Sequence, residues 1–235
     1  MNLLLLSSSR VGNSGYLESS FEMITQQLGP SVKTIAFIPY AGVTVSFDDY
    51  EKLASRAFSE MGYQLTSVHH ADDPAKPIEQ ADAIAVGGGN TFSLLNRLYQ
   101  KRLIEVIKEK VTAGMPYLGW SAGSNIAAPM ITTTNDMPIV QPPSFEALSL
   151  LPFQINPHYI DGNPPGHNGE TREQRLAEFI QLSPLQKVVA LPEGSALSSN
   201  ERKLVYKGMN EGFLFTAESG KQPIMPNSDL SYLLK

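Results

Sequence analysis

Two patterns of hydrophobic and polar positions alternate along the first half of the chain. One is the short unbroken apolar run: "NLLLLS" (2–7), "KTIAFIPYAG" (33–42), "YQLTSVHH" (63–70), "DAIAVGGGN" (82–90) and "MPYLGW" (115–120). Each predicts a strand. The other recurs with helical period. Over 15–29, Leu17, Phe21, Ile24 and Leu28 fall on one helical face and Gly29-Pro30 stops the helix. A second helix is predicted over 47–62, ending at Gly62, and a third over 91–113, broken near Gln100–Arg102.

Strands that alternate with helices imply βαβ units and a mostly parallel sheet. Strands of such a sheet are covered on both faces, which accounts for runs with no polar alternation. Ligands bind such sheets at the carboxyl ends of the strands. Gly87–Asn90 and Gly119–Gly123 both fall there. The expected fold class is therefore α/β, a three-layer α/β/α sandwich around a mostly parallel central sheet. After residue 128 the periodicity fades into a proline-rich stretch whose aromatic and aliphatic content argues against disorder. A helix returns over 171–182, a strand over 187–194 with Glu193 at its end, and short strands separated by turns over 203–226.

Composition narrows the picture. At 235 residues the chain suits one α/β domain spanning 1–235. A net charge of −5, a pI near 5.4 and the lack of any dense basic run argue against nucleic acid or an anionic membrane as partner. With no cysteine, disulfides, thiolate metal sites, iron–sulfur clusters and a cysteine nucleophile are excluded. The start, "MNLLLLSSSR", has no basic leader, and no apolar stretch approaches the ~20 residues of a membrane span, so a cytoplasmic location is expected.

Against that background "GWSAG" (119–123) stands out. A serine between two glycines, after a strand and before a helical segment, fits a nucleophile elbow, where only small flanking residues let the backbone turn. Alone, G-x-S-x-G is weak; a tight turn with a capping serine gives the same letters. A nucleophilic Ser121 needs a base, and the base needs an orienting acceptor. Of the four histidines, His69 and His70 are neighbours at a strand end, where their side chains should point to opposite faces as ordinary solvated groups. His158, in "INPHYI", is better anchored by apolar neighbours than His167, in "PPGHNGE". Asp136, Asp161, Glu170 and Glu193 are the candidate acids, and Asp136 could instead serve substrate binding. Oxyanion donors are expected from the Ala122 N–H and from Gly88 or Gly89, where glycine lets the backbone turn its N–H groups to a ligand. The triple glycine lacks the lysine and Ser/Thr of a phosphate-binding loop.

The ordered blocks "LLLLSSS" (3–9), "FIPYAGV" (37–43), "VGGGNTF" (86–92), "GWSAGSN" (119–125), "TTNDMPIV" (133–140), "QINPH" (154–158), "GHNGETREQR" (166–175) and "LPEG" (191–194) are far more specific. On these the chain resembles the peptidase E family of α-aspartyl dipeptidases, the serine-nucleophile branch of the flavodoxin-like, class I glutamine-amidotransferase-like fold. The resemblance covers about residues 1–195 and implies a Ser–His–Glu triad falling on Ser121, His158 and Glu193. It implies dipeptides with an N-terminal aspartate as substrates, no metal or organic cofactor, and a monomer. For such a substrate a guanidinium should bind the aspartyl side chain, with Arg172 the first choice and Arg175 the second. Asp136 is a candidate acceptor for the free α-amine, and Asn90 for substrate polar groups. Two alternatives stay open: a cyanophycinase-like hydrolase of an aspartate-containing polymer or isopeptide, and a non-catalytic relative that kept the pocket.

Overall fold

The computed structural model describes residues 1–163, 166, 168–200 and 202–235. From the N-terminus the elements run β1 (Leu3–Leu6), α1 (Phe21–Leu28), β2 (Thr34–Ile38), α2 (Phe47–Glu60), β3 (Gln64–Ser67), α3 (Ala75–Gln80), β4 (Ala83–Val86), α4 (Thr91–Gln100), α5 (Leu103–Thr112), β5 (Tyr117–Trp120) and α6 (Ala122–Asn125). They continue with β6 (Gln154–Pro157), α7 (Arg172–Leu182), β7 (Val188–Leu191), β8 (Ala196–Asn200), β9 (Lys203–Lys207), β10 (Gly212–Thr216) and β11 (Gly220–Ile224).

A seven-stranded sheet has the order β3-β2-β4-β5-β1-β8-β9. Its members from β3 to β1 are parallel, and β8 and β9 extend it antiparallel. Successive side chains of its strands alternate between two cores. Leu3, Leu5, Ile38, Ile84, Val86 and Tyr117 join the side chains of α4 and α5. Leu4, Leu6, Phe37, Ala85, Leu118 and Trp120 join those of α1 and α2 on the other face. Burial on both faces is the reason for the unbroken apolar runs, and it makes the expected layered α/β architecture. A smaller sheet, β11-β10-β7-β6, packs Ile155, Val189, Leu191 and Leu214 into the first of these cores. Its opposite face, Val188, Ala190 and Phe215, packs against Leu176 and Ile180 of α7. The tail runs back alongside β9, where the Leu230 N–H donates to the Leu204 carbonyl at 2.8 Å and the Tyr206 N–H to the Ser228 carbonyl at 3.0 Å.

Several details depart from the sequence pattern. Leu17 takes φ 59°, which interrupts the helix expected over 15–29; a 3₁₀ turn follows and α1 starts at Phe21, yet Leu17 stays fully buried. The strand expected over 63–70 stops at Ser67, and Val68–His70 wind into a 3₁₀ turn. The two histidines therefore do not point to opposite faces: their ring centroids lie 3.9 Å apart. β6 and β8 were not separable by periodicity, because one is a four-residue strand ending in proline and the other is rich in serine. The break in the third helix falls where expected, at Arg102 with φ 57°.

The Tyr117 hydroxyl donates to the Gly123 carbonyl at 2.7 Å inside the core, and burial pushes its pKa well above the ordinary phenol value. Tyr117→Phe leaves that carbonyl without its donor. We expect a loss of about 1–3 kcal/mol in urea unfolding, with an unchanged slope.

Candidate active site

Three turns at the carboxyl ends of strands build the site. In the first, β5 passes into α6 through Ser121, whose φ of 54° and ψ of −114° are strained for a residue with a Cβ. The strain is held by the surroundings. The Ser121 N–H donates to the Leu6 carbonyl at 3.1 Å, and the Ser121 carbonyl accepts from the Ser124 and Asn125 N–H groups at 2.9 Å. The Ser124 hydroxyl is shared between the Leu6 and Gly119 carbonyls at 2.7 and 2.9 Å. A Cβ on Gly119 would overlap the Gly123 carbonyl, and one on Gly123 would overlap the Val86 carbonyl. Both motif glycines are thus required by backbone-to-backbone contact.

In the second turn His158 follows β6, also at positive φ (53°). Its N–H donates to the Ser7 hydroxyl oxygen at 2.9 Å, and that hydroxyl donates to the Leu191 carbonyl at 2.7 Å. The third turn carries Glu193. Parallel pairing of Pro157 with Leu191 places the residues that follow them side by side. His158 Nδ1 lies 2.9 Å from Glu193 Oε1, and His158 Nε2 lies 2.9 Å from Ser121 Oγ. A carboxylate accepting at Nδ1 keeps the proton on that nitrogen, so Nε2 presents its lone pair to the serine hydroxyl. The His158 and Glu193 side chains are 39% and 55% exposed, so the line opens to solvent.

The glycine loop after β4 abuts the serine. A Cβ on Gly88 would stand 2.9 Å from the Ser121 Cβ, and Gly89 takes φ 137° where a Cβ would overlap the Ala41 carbonyl. The Tyr50 hydroxyl donates to the Gly88 carbonyl at 2.9 Å and accepts from Trp120 Nε1 at 3.2 Å. In a trans peptide C=O and N–H point oppositely, so this bond aims the Gly89 N–H away from Tyr50. Ser121, His158, Gly88, Gly89 and Asn90 line one cavity of about 680 Å³, walled further by Tyr16, Val43, Val45, Leu53 and Ile139.

The remaining candidates divide. Asn90 caps α4, accepting from the Ser93 N–H at 2.9 Å, while its Nδ2 donates to the Met137 carbonyl at 2.9 Å. Asp136 Oδ2 accepts from the Thr91 N–H and hydroxyl at 2.7 and 2.6 Å, which ties loop 133–139 to the same helix start. Arg172 opens α7 and donates to Asn135 Oδ1 at 2.7 Å; burial, then Arg175, lowers its pKa, and Asp136 opposes them. Neither Arg172 nor Asp136 lines the cavity that holds Ser121; Arg172 is tied to the loop that carries Asn135 and Asp136. Asp161 pairs with Lys221, and Glu170 lies 3.7 Å from Arg175, so both acids are engaged away from His158. His167 lies outside the described residues. Ser7, Tyr16 and Tyr50 were not recognisable as site residues from sequence; the one signal was the switch from leucine to serine at the end of "LLLLSSS".

Ser7 is fully buried, and its hydroxyl is the group that joins His158 to β7. Ser7→Ala removes the acceptor of the His158 N–H, while the Leu191 carbonyl keeps the Tyr159 N–H at 3.0 Å. Labelling of Ser121 by a serine-directed fluorophosphonate should slow by about 10–100-fold, since small displacements of a base are costly. Labelling at the wild-type rate by a folded Ser7→Ala protein would remove this anchoring role.

Residues 3–206 match the family described as peptidase family S51. Peptidase E of Shewanella denitrificans is 52% identical over 234 residues, covering 100% of this chain and 99% of the relative. Peptidase E of Haemophilus influenzae is 57% identical over 197 residues, 83% of this chain and 90% of the relative. Among solved structures, a peptidase from an acI-B1 actinobacterium superposes with a TM-score of 0.71 at 18% identity, covering 97% of this chain and 95% of that one. A candidate peptidase E from Listeria monocytogenes gives a TM-score of 0.66 at 24% identity, over 89% and 98%. No helix among the described residues is long and apolar enough to cross a membrane. The fold, the serine-bearing turn and full-length relatives at about half identity agree, and the chain belongs to peptidase family S51, as a peptidase.

Proposed function

We propose that the chain is a serine exopeptidase that releases an N-terminal aspartate from Asp-Xaa dipeptides. The observation that carries this reading is the continuous line Glu193–His158–Ser121, with 2.9 Å at each link. In that arrangement His158 Nε2 takes the hydroxyl proton as Ser121 Oγ attacks the aspartyl carbonyl. The Oγ–C bond forms, and the carbonyl oxygen gathers charge. The Ala122 N–H, at the start of α6, and the Gly89 N–H, oriented through Tyr50, receive it, with the Gly88 N–H as the neighbouring donor. His158 returns the proton to the leaving nitrogen as the C–N bond breaks. Water, deprotonated by His158, then hydrolyses the aspartyl ester and restores Ser121. Glu193 holds the imidazole tautomer throughout and balances the charge of the imidazolium.

Aspartate selectivity requires a cation for the side-chain carboxylate. Arg172 supplies it in this reading by turning its half-buried guanidinium from Asn135 toward the substrate, with Arg175 behind it and Asn90 at the cavity wall. Asp136 receives the free α-amine. A second cation competes on geometry: Arg10 lies 5.9 Å from the centroid of Tyr16, a residue that does line the cavity. Its position suits the free carboxylate of the leaving residue.

Release of p-nitroaniline from aspartyl-, glutamyl-, leucyl- and N-blocked aspartyl-p-nitroanilide tests the reading. Turnover of the free aspartyl compound alone, absent in Ser121→Ala, is expected; equal turnover of the leucyl compound would end the aspartate assignment. Glu193→Gln should lower kcat by about 10²–10⁴-fold with little change in KM, as the tautomer is no longer enforced. Arg172→Gln should lower kcat/KM for the aspartyl compound by about 10²-fold, close to the worth of a charge-assisted pair. Arg10→Gln should act on dipeptides but not on p-nitroanilides, which carry no terminal carboxylate. An unaltered kcat/KM in Arg172→Gln removes that residue from recognition.

A further inference from the structure

We infer that the chain carries a second, non-catalytic site: a position for a zinc-class divalent transition cation formed by Asp48, Glu51, His69 and His70. Asp48 and Glu51 stand three apart on α2 and share a helix face. His69 and His70 belong to the 3₁₀ turn after β3, which stacks their rings instead of splaying them. One ligand atom from each of the four residues lies within 4.8 Å of all the others.

The distances suit a single ion. His69 Nε2 is 2.9 Å from Asp48 Oδ1, His70 Nε2 is 2.5 Å from Glu51 Oε2, and His70 Nε2 is 3.9 Å from Asp48 Oδ1. In a tetrahedral site with bonds of about 2.0–2.1 Å, neighbouring donor atoms stand about 3.3 Å apart. The observed spacings bracket that value, and rotations of exposed side chains span the difference. The set is two imidazoles and two carboxylates with no thiolate, the preference of zinc, cobalt(II) or nickel(II) more than of calcium or copper(I).

Half of the site is already fixed. Ser67 holds it from both ends: its hydroxyl meets His69 Nδ1 at 2.6 Å, and its N–H donates to Glu51 Oε1 at 2.9 Å. The Phe47 ring packs on the His69 ring with centroids 5.5 Å apart. The outer nitrogen of His69 and the second oxygen of Glu51 are thereby aimed at the same point, the arrangement in which an outer-shell partner orients a metal ligand. These two side chains are 12% and 20% exposed, whereas His70 and Asp48 are 55% and 65% exposed and free to close over an arriving ion. No residue of this group takes part in the Ser121 line.

The test is titration of the chelator-treated full chain with zinc chloride by calorimetry, and with cobalt(II) by visible absorption. The expected result is one zinc per chain and the intense visible bands of tetrahedral cobalt. Binding should be weakened at least about tenfold in His69→Gln/His70→Gln and in Asp48→Asn, the scale seen when a metal shell is disturbed. His158→Gln, which alters the other histidine–carboxylate pair, should bind as the wild type does. The double variant should retain wild-type p-nitroanilide turnover, which shows that it folds; the exposed Asp48→Asn gives an independent reading if it does not. Absence of zinc binding to the wild type overturns the inference. So does binding that is unchanged in both variants, or binding that is lost only in His158→Gln.

Discussion

Everything at the site depends on how closely three stretches of backbone pass one another. The end of β4, the end of β5 and the start of α6 meet at Val86, Gly119 and Gly123 with no room for a Cβ on either glycine. That contact fixes the path of the chain through Ser121 and holds it in a conformation a serine does not choose by itself. Leu6 of the neighbouring strand then supplies the acceptor for both the Ser121 N–H and the Ser124 hydroxyl. Ser121 is presented by the main chain of the sheet, so its position is as rigid as the core beneath it.

The partners of the serine come from the other sheet. β6 and β7 run parallel and in register, and this delivers His158 and Glu193 to adjacent turns. Ser7, one residue beyond β1, bridges the two sheets through its single hydroxyl, taking the His158 N–H and giving to Leu191. Two residues held at positive φ, Ser121 and His158, thus face each other across a joint between sheets. Each is restrained by hydrogen bonds to an element other than its own, as expected where strain must be over-determined by its surroundings.

How much of this could be read from the amino-acid order follows from the range of the forces involved. The parallel strands and α2, α4 and α5 were legible because burial on both faces or one face leaves a local period. Ser121 was legible because its turn demands glycine at two nearby positions. His158 and Glu193 emerged from blocks of resemblance, and from apolar runs that end beside them. β6 and β8 were not legible: too short, and flanked by proline or serine, to show a period. Tyr50 and Ser7 were hidden for a different reason, since each acts through long-range hydrogen bonds that leave no pattern in the neighbouring residues. The His69–His70 pair misled because the strand pattern continues through a turn that reverses the meaning of adjacency. Arg172, chosen for its place in a motif, bonds to Asn135 and does not line the serine cavity, a fact of packing that spacing does not carry.

The tail beside β9 has a consequence for the chain in company with its own copies. A sheet lengthened by antiparallel β8 and β9 would end in a row of unpaired amide and carbonyl groups, a template on which another strand could grow. Leu230 and Ser228 take up part of that row by bonding to Leu204 and Tyr206. At the opposite edge β3 is only four residues long, and a side chain from α2, Glu51, occupies the Ser67 N–H. Each border of the large sheet thus has part of its backbone row occupied from within the same molecule, which leaves less of it open for edge-to-edge pairing.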